Sequence, residues 1–180
     1  MTEPRPSETC LVIVDVQAGF ISEYTKRCLP WIHELVKDPR FAFKIATRFA
    51  NAPGSLYRTR IGWNRLSTPE EIALDPVVES NVDAVVDKET YGCAEEIDDL
   101  LKARGIGQVL LVGIDTDVCV LHNAAQLFDR GYPTWVDIRG CATGGGYQAD
   151  SAAVPLLRRT IGGDQVIGCT VDGNREQDPW

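Results

Sequence analysis

Residues 10–16 read CLVIVDV, a near-continuous apolar run that ends in a carboxylate. That pattern predicts a strand buried on both faces, which requires helices packed above and below it. FKIATRF (43–49), VDAVVD (82–87), QVLLVGI (108–114), PTWVDI (133–138) and QVIGCT (165–170) read as further strands. Helical patterns lie between them. In 94–104, Ile97, Leu100, Leu101 and Arg104 keep a three-and-four spacing, and Gly105 supplies a stop. In 118–130, Val118, Leu121, Ala125 and Phe128 form one apolar face before Gly131. In 151–161, Leu156, Leu157, Thr160 and Ile161 do the same, with Pro155 predicting a helix start near Val154. Six strands alternating with helices predict an open, mainly parallel six-stranded sheet in a three-layer α/β/α arrangement. No repeat or linker divides the 180 residues, so one domain over 1–180 is expected. The stretch 50–76, with Pro53, Gly54, Pro69 and Pro76, reads as a long irregular insertion placed to cover a site.

Composition narrows the function. Lys and Arg number 18 against 26 Asp and Glu, a net charge of −8. Nucleic-acid phosphates and anionic membrane surfaces call for the opposite sign, so neither is an expected partner. The six cysteines, at 10, 28, 93, 119, 141 and 169, contain no CxxC pair, and the only histidines are His33 and His122. Zinc knuckles and His-rich metal sites find no support in that inventory. The opening MTEPRPSETC lacks a basic start followed by an apolar run, and no stretch approaches the roughly 20 apolar residues of a membrane span. A cytoplasmic protein with reduced thiols is the expectation.

In parallel sheets ligands bind beyond the C-terminal strand ends. Those ends carry Asp15, Asn51, Lys88 and the segment Asp115-Thr116-Asp117-Val118-Cys119. Cys119 opens a helix one turn after QVLLVGI, with Asp115 or Thr116 as N-cap. Free N–H groups and the helix dipole favour a thiolate there, whereas Asp115 and Asp117 oppose one. On position alone a nucleophile and a buried small apolar residue both account for Cys119. Cys10 and Cys169 sit in apparent strands and Cys141 in a small-residue loop. Cys28 and Cys93 lie at loop or helix edges, and all five read as packing residues. Asp15 is open to two readings, a turn cap or a working carboxylate, and Lys88 alone reads as a solvated lysine. What raises all three is that an acid, a base and a thiol each end a different strand. His122, three residues after Cys119, supports only a minor Cys–His reading.

In VIVDVQAGF (12–20), KETYG (88–92) and LLVGIDTDVCVLHNAAQLFDRGY (110–132), the chain resembles the isochorismatase-like cysteine hydrolases, which include nicotinamidases and N-carbamoylsarcosine amidases. DIRGCATGGG (137–146) resembles the family's C-terminal portion. The resemblance implies strand order 3-2-1-4-5-6 and a catalytic triad of Asp15, Lys88 and Cys119. It also implies a cis peptide between Ile114 and Asp115, and an oxyanion hole built from the N–H groups of Asp115 and Cys119. Metal-dependent members resemble one another in an Asp-x-His after strand 2. Here the stretch reads TRFAN, with Phe49 and Asn51 at those positions, so no metal and no cofactor is expected. Phe20, Asn51, Tyr57, Trp63 and Tyr91 are the candidate substrate-binding residues, because they lie in or near loops leaving strands 1, 2 and 3. Arg58, Arg60 and Arg65 sit in the same insertion, facing an acidic substrate or simply solvent. The expected activity is hydrolysis of a small-molecule C–N amide-type bond through a thioester, by a homo-oligomer. The alternatives are vinyl-ether hydrolysis, or an idle binding protein on the same fold.

Overall fold

The structure, a computed structural model, describes residues 3–169. The strands are β1 (Thr9–Val14), β2 (Phe43–Phe49), β3 (Ala84–Lys88), β4 (Gln108–Ile114), β5 (Thr134–Ala142) and β6 (Val166–Ile167). They form one sheet in the order β3-β2-β1-β4-β5-β6, and every neighbouring pair is parallel. All six residues of β1 and all but the first residue of β4 are core positions, as their unbroken apolar runs require. The longer helices are α1 (Leu29–Lys37), α5 (Ala94–Arg104), α6 (Leu121–Asp129) and α7 (Gly146–Ile161). One face of the sheet packs Val12, Ile45 and Leu111 against Ile97, Leu127 and Leu157 of α5–α7. The other packs Ile13, Val112 and Ile114 against Ile32 and Val36 of α1. At about 25 cal/mol per Å² of apolar area, these two buried layers are the main source of stability.

Several boundaries differ from the sequence expectation. The strand expected at 133–138 continues to Ala142, because a register shift opposite Val112 lets β5 run on beside the end of β4. Cys141 is therefore a fully buried strand residue rather than part of a loop. The last strand shortens to two residues, Cys169 lies beyond it, and Thr170 falls outside the described residues. The helix expected from Val154 starts at Gly146 and carries Pro155 in its interior. Burial of Asp150, Ala153, Val154 and Leu157 along it offsets the lost backbone bond. The helix α1, not among the helices expected from the sequence, buries Ile32 and Val36 at four-residue spacing.

The helix after β4 differs most. It begins with a π turn, Thr116–Val120, and continues as α6. The extra residue in that turn shifts the buried stripe by one position. Val120, Ala124 and Leu127 face the core, whereas Phe128 is 42% exposed. The insertion at 50–76 holds short helices α2 (Leu56–Thr59) and α3 (Pro69–Ile72), and α4 (Pro76–Glu79) closes it. No helix among the described residues is long and apolar enough to cross a membrane.

Candidate active site

β1 and β4 lie side by side at the centre of the sheet, where strand order reverses. Val14 pairs with Gly113, whose φ is +135°, and a Cβ there would stand 2.1 Å from the Val14 carbonyl oxygen. Only glycine allows the two strand ends to approach so closely. Asp15 follows Val14 in the left-handed region (φ 51°), fully buried. The Thr47 hydroxyl donates to its Oδ1 at 2.7 Å, and the Asp15 N–H donates back to Thr47 Oγ1 at 3.1 Å. The ammonium of Lys88, at the end of β3, sits 2.6 Å from Asp15 Oδ2. It also donates to the carbonyls of Thr90 and Tyr91 at 2.9 and 3.1 Å and lies 3.8 Å from Cys119 Sγ. An acid, an ammonium and a thiol from three strand ends thus share one point.

Burial pushes the Cys119 thiol well above its ordinary pKa, and the Asp15 carboxylate adds to the rise, with Lys88 opposing. Of the opposing influences the sequence offered, the helix start for a thiolate and the nearby carboxylates against it, burial sides with the second. Desolvation pulls the Lys88 ammonium down, but Asp15 and the Cys119 sulfur outweigh it, so its pKa stands above the ordinary value. The resting site therefore holds a thiol beside a buried ion pair.

The peptide bond Ile114–Asp115 is cis. Asp115 occupies the N-cap position without capping the turn; its Oδ1 accepts the Gly144 N–H at 2.6 Å. Thr116 turns its hydroxyl onto Asp150 at 2.7 Å. Burial raises the Asp115 carboxyl to about 6, with the nearby Asp117 adding to the shift and the Gly144 N–H moderating it.

Cys119 and Asp115 line a cavity of about 160 Å³. Of the five candidate substrate-binding residues, Phe20, Tyr57, Trp63 and Tyr91 line it. Phe20 stacks on Trp63 at 5.8 Å, and Tyr57 meets Tyr91 edge-on at 5.0 Å. Asn51 stands outside the lining. It is 2% exposed, donates to the carbonyls of Trp63 and Arg65, and accepts from Ser55, so it shapes the insertion that carries the wall. Phe49, Ile61 and Val118 complete the lining and were not among the candidates for it. The inward-facing end of β2 signalled Phe49, whereas nothing in the sequence signalled Ile61. His122 is exposed and its ring lies 5.6 Å from that of Tyr91. Arg58 donates to the Asn51 carbonyl, and Arg60 is exposed.

The residues after β2 do not fit a metal ion. Phe49 offers a ring to the Lys88 ammonium, 5.1 Å away, and the Asn51 amide is engaged in the loop. Among the described residues no group of three or more His, Cys, Asp or Glu is placed to hold one.

The family model of the isochorismatase domain matches residues 9–162. No curated protein matches the sequence. Among solved structures, the chain is similar to nicotinamidase PncA from Bacillus subtilis at 19% identity, with TM-score 0.78 over 88% of this chain and 98% of that one. It is similar to a pyrazinamidase/nicotinamidase from Streptococcus mutans at 18% identity, with TM-score 0.76 over 88% and 99%. N-carbamoylsarcosine amidase from Thermoplasma acidophilum shares 21% identity, with TM-score 0.76 over 86% and 93%. At these identities the likeness is one of fold.

Proposed function

The chain belongs to the isochorismatase family, and from that premise we propose that it is a cysteine hydrolase of small carboxamides. The observation that supports this reading is the convergence of Asp15 and Lys88 on Cys119, which lines the aromatic cavity. Cys119 Sγ attacks the substrate carbonyl carbon as its proton passes to Asp15. Because the resting thiol is held protonated, transfer and attack are coupled rather than sequential. The carbonyl oxygen becomes an oxyanion that the N–H groups of Asp115 and Cys119 receive, each donor worth about 2.7–4 kcal/mol in comparable sites. The C–N bond breaks as Asp15 returns the proton to the departing nitrogen, leaving a thioester on Cys119. Water then attacks the thioester, giving its proton to Asp15, and the acid leaves as the thiol is re-formed. Throughout, Lys88 keeps Asp15 oriented and balances its charge. The chemistry uses side chains and backbone alone.

Hydrolysis of a panel of primary amides by wild type and Cys119→Ala tests this. Turnover by the wild type and a loss of about 10³-fold or more in the variant is expected. Equal turnover by both removes Cys119 as the nucleophile, and full activity of Cys119→Ser on a vinyl ether would favour the acid-only alternative.

A further inference from the structure

The cavity is asymmetric in charge. Among the described residues, Asp115 is the one acidic residue in its lining, and no lysine or arginine lines it. The nearest cation described, Lys88, is paired with Asp15 and two backbone carbonyls and lies over the Phe49 ring, which leaves Phe20, Tyr57, Trp63 and Tyr91 as the rings for a ligand, while Arg58 donates to the carbonyl of Asn51. The rest of the wall is largely aromatic: Phe20, Phe49, Tyr57, Trp63 and Tyr91. Ring faces attract cations through their quadrupoles, and a partly buried carboxylate without a cationic partner gains most from one.

We propose that this site selects amides whose acyl group carries a cationic nitrogen, and that Asp115 is the residue that sets the preference. The inference rests on the carboxamide reading above and narrows it to a charge class. The ligand's ammonium sits among the ring faces within reach of the Asp115 carboxylate, while its carboxamide lies at Cys119. A carboxylate-bearing substrate meets Asp115 with no counter-ion to receive it, which places dicarboxylates outside the preferred class. The Asp115 carboxyl, held near 6, is ionised at pH 7.5 and available for this role. The cavity, about 160 Å³, holds a ligand of roughly one ring.

Three amides matched in heavy-atom count separate charge from shape: pyrrolidine-3-carboxamide (cationic), cyclopentanecarboxamide (neutral) and succinamate (anionic). Their affinities for the Cys119→Ala protein are measured by calorimetry at pH 7.5, with and without a second substitution, Asp115→Asn. The cation is expected to bind about tenfold or more tighter than the neutral ring, with succinamate weakest, and Asp115→Asn to bring the cation-to-neutral ratio to within about threefold. Equal affinity for cation and neutral ring, a ratio unmoved by Asp115→Asn, tightest binding of succinamate, or no binding of any of the three overturns the inference. Wild-type turnover of the same amides is read separately. Turnover without charge preference leaves the hydrolase reading standing and sinks this one; charge-selective binding without turnover does the reverse.

Discussion

Lys88 Nζ and Asp15 Oδ2 lie 2.6 Å apart with side chains 1% and 0% exposed, so the site is built around an ion pair withdrawn from water. Such a pair contributes little relative to an apolar replacement of both partners, yet breaking it strands a charge.

Asp15→Asn is therefore expected to destabilise the fold by about 3–5 kcal/mol, as is Lys88→Met, with the double variant costing clearly less than the sum of the two. Urea denaturation of the three variants measures this. Additive losses would mean the two groups are not coupled.

The thiols separate by access. Cys10, Cys28 and Cys141 have no exposed surface and Cys93 has 4%, and none of them lines the cavity, whereas Cys119 does. With a limiting amount of 2-chloroacetamide, mass spectrometry is expected to find Cys119 alkylated well ahead of those four, and benzamide to slow the reaction. Half-buried Cys169 is scored separately. Uniform, slow labelling of the five would support the idle-protein alternative.

Asp115 gives a pH signature. Its folded-state pKa, about 6, lies above the ordinary carboxylate value of about 3.9. The folded chain thus binds this proton more tightly than the unfolded chain, and stability from this group falls as pH rises between those two values. Asp115→Asn keeps an oxygen for the Gly144 N–H and removes the penalty. Its melting temperature relative to wild type is expected to be higher at pH 7.5 than at pH 4, by calorimetric scans. A difference independent of pH would refute the assignment.

Asn51 is expected to act on substrate binding at one remove. Asn51→Ala removes two bonds to the carbonyls of Trp63 and Arg65 and one from Ser55, and buried groups left unpaired cost about 1–3 kcal/mol each. The melting temperature should fall and KM should rise more than kcat falls, because the wall loosens while the Asp15–Lys88–Cys119 cluster is untouched. Asn51→Asp, which keeps an acceptor for Ser55 but turns a carboxylate oxygen onto both carbonyls, should recover none of the loss.

What the sequence revealed followed from how local each signal was. FKIATRF and QVLLVGI match β2 and β4 end to end, and the helix at 94–104 is bounded by Gly105 in the left-handed conformation. The ends of β1, β3 and β4 point to Asp15, Lys88 and Cys119 from the sequence alone. Features set by neighbours were not visible. The start of α7 depends on Asp150 being held by Thr116 and Arg27, and the stripe on α6 depends on a π turn. Burial of Cys119, which decides between the opposing influences on its thiol, is a property of the assembled core. Ile61 joins the cavity only because the chain at Asn51 folds the insertion back over it.

The wall and the reacting groups come from different parts of the architecture. Asp15, Lys88 and Cys119 stand at the ends of core strands, while Tyr57, Ile61 and Trp63 ride on an insertion fastened through Asn51. On the proposed function, loop replacements between Asn51 and Arg65 would therefore change which acyl group is admitted without moving Cys119, so the protein lends itself to retargeting by grafting.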